Sequence, residues 1–144
     1  MARLTLAQAS TIVEKALARG RELNCAPLAV AVLDAGGHLK AFAREDGAGI
    51  LRPQIATGKA WGALGMGFGS RTLAKRAADN PGFFAALFAA SEGRVVPAAG
   101  GVLVRDAAGE VLGAVGISGD TSDKDEACAL AGIEAARLAG EPGS

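Results

Sequence analysis

A small set of charged side chains stands in the middle of the chain, among residues that are mostly small and apolar. Arg44 and Asp46 end a predicted strand, and Arg52 and Lys59 are seven positions apart, which places them on nearly the same face of a helix. Guanidinium and ammonium groups bind carboxylates, and an aspartate or a lysine can transfer a proton. The pattern predicts an anionic-ligand site or a catalytic site in which Asp46 and Lys59 perform acid–base chemistry.

Glycines accompany these charges at positions that turns alone do not explain. Of the 21 glycines in the chain, Gly100 and Gly101 open a predicted strand and Gly116 interrupts the next one. Glycine inside a strand commonly marks the close approach of another backbone or of a ligand. We therefore predict a glycine-floored pocket, with Arg71 and Thr72, which follow a glycine run, completing the ligand-binding set.

A simpler interpretation of the same residues stays open. The charges could form an Arg44–Asp46 ion pair, or a pair between Lys59 and an aspartate, on a solvated face, while the glycines serve only tight subunit packing. Physical considerations alone favour this interpretation, because most exposed ion pairs contribute little.

Two copies of one turn motif divide the chain. The sequence DAGGHL from Asp34 and the sequence DAAGEV from Asp106 match in spacing. Aspartate accepts hydrogen bonds from turn N–H groups and glycine adopts positive φ, so each copy predicts a β-hairpin. Since Glu110 occupies the position of His38, we interpret that only histidine as a solvated turn residue, and no metal site is predicted.

Helical patterns surround the hairpins. A first helix is predicted after Thr5, which can form a capping box with Gln8, and two or three helices lie between the hairpins. A short strand is predicted near 95–96, and a further helix follows the second hairpin. Hairpins joined by helices imply an antiparallel sheet with helices packed against it. We expect one domain over residues 1–140 and a disordered tail over 141–144.

The overall composition argues against several classes of function. Basic and acidic residues number 15 each and only 4% of residues are aromatic, which argues against nucleic-acid binding. No apolar run reaches the roughly 18 residues of a membrane span, and no secretory signal is recognisable. Cys25 and Cys128 fit no short motif, so we expect reduced, buried thiols in a cytoplasmic protein.

Several long segments resemble the GlcG/HbpS family of haem-binding, sometimes called haem-degrading, domains, which includes the C-terminal domain of PduO-type corrinoid adenosyltransferases. The segments are LTLAQA, AVAVLDAGGHLKAFAREDGA, IATGKAWGA and AAGGVLVRDAAGEVLGAVGISGDTSDKDE, and with the final helix they span almost the whole chain. The resemblance implies a profilin-like α/β (α+β) domain with a five-stranded antiparallel sheet flanked by helices. It also implies a homo-oligomer, from dimer to octamer, with haem or a related small molecule bound near a subunit interface.

The resemblance makes haem the cofactor to consider. A haem site requires an axial ligand and basic partners for two propionates. Arg52, Lys59 and Arg71 are suitable partners for carboxylates, Thr72 aligns with a threonine common in the family, and Met66 is the only internal thioether. We therefore predict a protein that binds haem or a related small anionic ligand.

Two alternatives remain. The first is an enzyme of small-carboxylate metabolism that catalyses an isomerase, lyase or oxidoreductase step. In that enzyme Arg44 or Arg52 would anchor the acid, and Asp46 or Lys59 would transfer the proton. The second is a structural or assembly protein in which the glycines serve only subunit packing.

Overall fold

The computed structural model describes residues 2–144, which form five helices and five strands in one antiparallel sheet. The helices are α1 (Leu6–Glu22), α2 (Arg52–Met66), α3 (Ser70–Asp79), α4 (Pro81–Ala90) and α5 (Ser122–Ala135). The strands are β1 (Ala29–Asp34), β2 (Leu39–Arg44), β3 (Gly101–Arg105), β4 (Val111–Ser118) and β5 (Ala139–Glu141). The order across the sheet is β2-β1-β4-β3-β5. The predicted α+β fold with a five-stranded antiparallel sheet is confirmed.

The start of α1 is fixed by the predicted capping box. The Thr5 hydroxyl accepts a hydrogen bond from the Gln8 N–H at 3.0 Å, and the Gln8 side chain accepts one from the Thr5 N–H at 3.0 Å. Two N–H groups that the helix itself leaves without partners are thereby satisfied.

The two hairpin turns use the same chemistry. In each turn the aspartate, Asp34 or Asp106, accepts hydrogen bonds from the N–H groups two and four residues further on, at 2.9–3.0 Å. Gly37 and Gly109 adopt φ values of 82° and 83°, a conformation that favours glycine. The His38 side chain is 82% exposed, which confirms its interpretation as a solvated turn residue.

The fifth strand lies in a different part of the chain from the one predicted. Residues 95–96 form no strand; they pack on α2, where the Val96 N–H donates to the Gly58 carbonyl at 3.3 Å. The fifth strand is β5, which pairs with the outer edge of β3. Its sequence, Ala-Gly-Glu, has little strand propensity, so β5 forms because β3 offers unpaired backbone groups.

The last four residues, predicted to be a disordered tail, are held in place. Residue 141 ends β5, and the Pro142 carbonyl accepts a hydrogen bond from the Arg71 N–H at 3.2 Å. The Ser144 N–H donates to the Thr72 hydroxyl at 2.9 Å. The end of the chain is therefore fastened to the first turn of α3.

One face of the sheet carries the main apolar core. Alternate residues of β1, β3 and β4 point to this face, where α1 and α5 cover them. The fully buried β-branched side chains of this core are Ile12, Val30, Val32, Val102, Val104, Val115, Ile117 and Ile133. Cys25 and Cys128 belong to the same cluster and are both free and buried, as predicted.

The opposite face packs on α2 with much smaller side chains. It brings Ala29, Ala31 and Leu33 of β1 against three alanines of α2, at 56, 60 and 63. A Cβ at Gly116 would lie 1.8 Å from the Ala56 carbonyl oxygen. The backbone of α2 therefore lies directly on the sheet. Over residues 2–144, no helix combines the length and the apolar character needed to cross a membrane.

Candidate functional site

The charged residues that the sequence singled out do not converge on one cavity. Lys59 is only 3% exposed, and its Nζ donates to the Ile117 carbonyl at 2.9 Å and to the Asp125 carboxylate at 3.2 Å. Burial lowers the pKa of Lys59, while Asp125 acts in the opposite direction. Burial likewise raises the pKa of Asp125 against the opposing influence of Lys59.

This buried ion pair joins the two faces of the molecule. Lys59 belongs to α2 and Asp125 to the first turn of α5, and α2 and α5 cover opposite faces of the sheet. The other carboxylate oxygen of Asp125 accepts a hydrogen bond from the Asp120 N–H at 3.0 Å. The alternative in which Lys59 pairs with an aspartate describes what the structure contains, except that the pair is buried rather than solvated.

Three further predicted ligands already have partners within the chain. Arg71 pairs with Glu126 at 2.9 Å and with Asp123, and the hydrogen bonds to these carboxylates raise the pKa of the guanidinium. Thr72 accepts the hydrogen bond from the chain end described above. Arg52 donates to the Ser118 hydroxyl at 3.1 Å and lies close enough to Lys59 to lower its pKa.

The predicted glycine floor is a surface for packing α2. A Cβ at Gly101 would lie 2.3 Å from the Lys59 carbonyl oxygen, which is also too close for any side chain, although the conflict at Gly116 is closer still. Gly100 adopts φ 121°, and a Cβ there would lie 2.9 Å from the Lys59 Nζ. These three glycines therefore admit α2 rather than line an open pocket, which corrects the expected floor.

Arg44 and Asp46 do lie together. They line a cavity of about 400 Å³ with Arg21 and Glu45, at the ends of α1 and β2. Arg44 donates to the Ala48 carbonyl at 2.9 Å, and Arg21 pairs with Glu45 at 3.0 Å. Within residues 2–144, Arg44 forms no ion pair with Asp46.

A larger and more apolar cavity, which we call the α3–α4 cleft, lies where the end of α2 meets α3 and α4. Its volume is about 450 Å³, and its lining residues are Met66, Arg76, Asp79, Asn80, Phe83 and Phe84. The two phenylalanine rings lie edge to face with centroids 5.7 Å apart. The guanidinium carbon of Arg76 lies 4.5 Å from the centre of the Phe68 ring. The cleft thus combines aromatic walls, a thioether, one cation (Arg76) and one carboxylate (Asp79).

The helix that borders this cleft has no buried residue. All of α4, PGFFAALFAA, is uncharged, and Phe83 and Phe88 are 50% and 54% exposed. A helix that is apolar on every side is normally buried, so this surface is unusual for a monomer. Sequence reasoning missed the cleft, although the lack of any polar face in this helix was a recognisable signal.

Among residues 2–144, no group of three or more histidine, cysteine, aspartate and glutamate side chains is arranged to hold a metal ion.

Comparison with known proteins places this α+β domain in a defined class. Residues 4–134 match the family described as haem degrading protein HbpS-like. The chain belongs to this family, which confirms the predicted resemblance.

Solved structures of similar proteins share the fold over nearly the whole chain. The structure of a PduOC–haem complex is 25% identical, covers 95% of this chain and 97% of its own, and superposes with a TM-score of 0.86. The ORFY protein of Klebsiella pneumoniae is 27% identical, covers 95% and 93%, and has a TM-score of 0.85. A double mutant of HbpS from Streptomyces reticuli is 28% identical, covers 93% and 87%, and has a TM-score of 0.79.

One curated protein is similar over nearly the whole chain. The 15.0 kDa protein of the dhaT–dhaS intergenic region of Citrobacter freundii is 28% identical over 134 residues, which is 93% of this chain and 92% of that protein.

Proposed function

We propose that this protein binds haem in the α3–α4 cleft, beside a subunit interface formed by α4. The observation that carries the proposal is the composition of the cleft: Phe83 and Phe84 form apolar walls, Met66 supplies a thioether and Arg76 a cation. Membership of the HbpS-like family and the likeness to a haem complex of PduOC support the choice of ligand.

The residues of the cleft fit the chemistry of a porphyrin. The phenylalanine side chains would hold its apolar ring, and the Met66 thioether is a group that could bind the iron. Arg76 makes no ion pair within residues 2–144, so its guanidinium is free to bind a propionate. Haem, once bound, would supply one-electron redox or oxygen chemistry.

The exposed face of α4 supports a site that is completed by a second copy of the chain. The cleft of about 450 Å³ lies within the range of roughly 300–1,000 Å³ typical of ligand pockets. One of its lining residues, Phe83 of α4, is 50% exposed to solvent. A homo-oligomer that covers α4 would remove both the exposed apolar surface and much of the solvent access to the ligand.

Titration with hemin tests this proposal. The unsubstituted chain should develop a saturable Soret band at stoichiometric ligand. Met66→Leu, which conserves volume but removes the sulfur, should change the position of the band and weaken binding about tenfold. Arg76→Gln should weaken binding by a smaller factor, and Arg19→Gln, on the exposed surface of α1, serves as the matched control.

Two outcomes would contradict the proposal. One is the absence of a saturable band; the other is unchanged binding by both Met66→Leu and Arg76→Gln. The sequence-based ligand assignment is tested in the same series with Arg52→Ala and Lys59→Ala. Loss of the band in Arg52→Ala alone would move the site to the start of α2.

A second candidate function is favoured by the cavity that contains Arg44 and Asp46. Arg44 could anchor a small carboxylate, and Asp46 could transfer a proton, as an isomerase or lyase step requires. The test is deuterium incorporation into pyruvate in D₂O by haem-free, metal-free protein, followed by proton NMR. Asp46→Asn should abolish exchange and Arg44→Gln should raise KM; exchange no faster than in buffer would exclude this function for that acid.

A further inference from the structure

We propose that a second ligand site, independent of the haem proposal, lies between α2 and residues 91–97 and binds a small organic carboxylate. We call it the Trp61–Arg94 site. It comprises a cavity of about 280 Å³ whose lining residues are Pro53, Gln54, Thr57, Gly58, Trp61 and Arg94.

Arg94 is the residue that points to a ligand. The carbon of its guanidinium lies 3.9 Å from the centre of the Trp61 ring, a cation–π arrangement that orients the planar group. Within residues 2–144 the side chain of Arg94 forms neither an ion pair nor a hydrogen bond, whereas Arg71 and Arg105 both pair with carboxylates. Its N–H donors are therefore available to an outside acceptor.

The other side of the cavity is one stripe of α2. Gln54, Thr57 and Trp61 are spaced three and four residues apart, which places them on the same face of the helix. The amide and the hydroxyl can donate hydrogen bonds to an oxyanion, and the indole offers an apolar surface. Hydrogen-bond donors thus lie beside an apolar surface, which the hydrocarbon part of a small organic acid can contact.

Gly58 brings the two sides together. A Cβ at this position would lie 2.5 Å from the Val96 Cγ2 and 2.7 Å from the Arg94 carbonyl oxygen. Because Gly58 has no side chain, the segment that carries Arg94 docks on α2, and the Val96 N–H reaches the Gly58 carbonyl at 3.3 Å. Gly58 is therefore a positioning residue for the cation.

The charge of the site favours a carboxylate over a phosphate. Its lining contains one cation, Arg94, and no acidic residue, so a monoanion matches its charge. A planar guanidinium can bind both oxygens of a carboxylate at once. A phosphate dianion would leave a negative charge without a partner in this cavity.

The only tryptophan of the chain reports on this site directly, because Arg94 lies over its ring. The probe is cyclohexanecarboxylate, which does not absorb at the excitation wavelength of tryptophan; the neutral control is cyclohexanecarboxamide, and inorganic phosphate is the competing class. We expect a saturable change in Trp61 emission with the carboxylate only. Ligand-observed NMR, run in parallel, detects binding by variants in which the fluorescence response itself is altered.

Substitutions test which residues contribute to the affinity for the carboxylate. Arg94→Gln should weaken binding of the carboxylate about tenfold or more, since a charge-assisted hydrogen-bond pair is lost. Arg94→Lys should show an intermediate loss, because it keeps the charge without the planar fork, and Arg19→Gln should bind normally. Gly58→Ala, which touches no ligand, should weaken binding by displacing the Arg94 segment.

Three outcomes would contradict parts of this proposal. Saturation by phosphate at equal or lower concentration would overturn the carboxylate assignment, and equal binding by Arg94→Gln would overturn the role of Arg94. No saturable response to either anion, by fluorescence and by NMR, would overturn the site. None of these residues lines the α3–α4 cleft, so a negative result for carboxylate binding would not affect the interpretation of the hemin titration.

Discussion

The two faces of the sheet solve the same packing problem in opposite ways. Under α1 and α5, branched residues such as Val115 and Ile117 interdigitate with helix side chains. Under α2, glycines such as Gly116 remove the side chains so that the helix backbone contacts the sheet. The first face can lose a methyl group and keep its architecture, whereas the second has mostly alanines and glycines and no room for an added side-chain atom at Gly116. The difference explains why the α3–α4 cleft and the Trp61–Arg94 site both border α2: the inner side of this helix packs on the sheet, and its outer side and its end are available to ligands.

The largest expected effect tests the rigidity of the α2 face. Gly116→Ala places a Cβ in conflict with the Ala56 carbonyl, which belongs to the backbone and cannot rotate away. We expect the free energy of unfolding to fall by more than about 4 kcal/mol, measured by urea denaturation. Val115→Ala, at the preceding residue of β4 and on the other face, should lose only about 2 kcal/mol. A smaller loss of unfolding free energy in Gly116→Ala than in Val115→Ala would contradict the view that the α2 face is the less tolerant of the two.

A smaller effect is expected where the two faces are joined. Lys59→Met leaves the buried Asp125 carboxylate without its counter-charge, so the unfolding free energy should fall by about 3 kcal/mol. The matched control, Lys59→Met with Asp125→Asn, removes both charges and should recover much of this loss. A double variant no more stable than the single one would show that the coupling of the two groups is unimportant.

The same variant gives a pH dependence with a defined sign. Burial already raises the pKa of Asp125 above 3.8, and removal of Lys59 takes away an influence that lowers it. A carboxyl group whose folded pKa is raised binds its proton more tightly when folded, so stability falls as pH rises from about 3.8 to the folded value. The cost of Lys59→Met, measured by urea denaturation, should therefore be smaller near pH 4 than near pH 7, and Asp125→Asn should abolish this difference.

The smallest effect on stability is expected at α4, which covers neither face of the sheet. Phe88→Ser should change the unfolding free energy by no more than about 0.5 kcal/mol, because the side chain is largely exposed already. If α4 lies at a subunit interface, the same substitution should lower the mass observed by native mass spectrometry. Leu6→Ser, at an equally exposed position of α1, should leave the mass unchanged. A strong loss of monomer stability in Phe88→Ser would contradict this account of α4.

The parts of the fold that local chemistry specifies could be predicted from the sequence. The capping box of Thr5 and Gln8 and the turns at Asp34 and Asp106 each depend on residues within five positions of one another, and all three were confirmed. Strand β5 was missed because it depends on the free edge of β3, which is distant in sequence.

The candidate sites were harder to predict because their members are far apart along the chain. Arg94 contacts Trp61 although α3 and α4 lie between them in the sequence. Lys59 pairs with Asp125 although the whole second hairpin lies between them in the sequence. Charge and spacing correctly placed Arg52 and Lys59 near each other on α2. They could not show that Lys59 is buried, because burial depends on the glycines that allow α2 to approach the sheet.

The two cysteines and the single tryptophan of this chain lie in different layers, so they can report separately on local unfolding of each layer. Its two cysteines lie under α1 and α5, and its one tryptophan lies on α2. Burial, together with the neighbouring Cys25, raises the pKa of the Cys128 thiol to about 12, so alkylating reagents will modify it only during moments when that core is breached. The rate of iodoacetamide labelling therefore reports on opening of the core under α1 and α5, and the rate of change of Trp61 emission reports on opening of the α2 layer. Comparison of the two rates shows which layer detaches first.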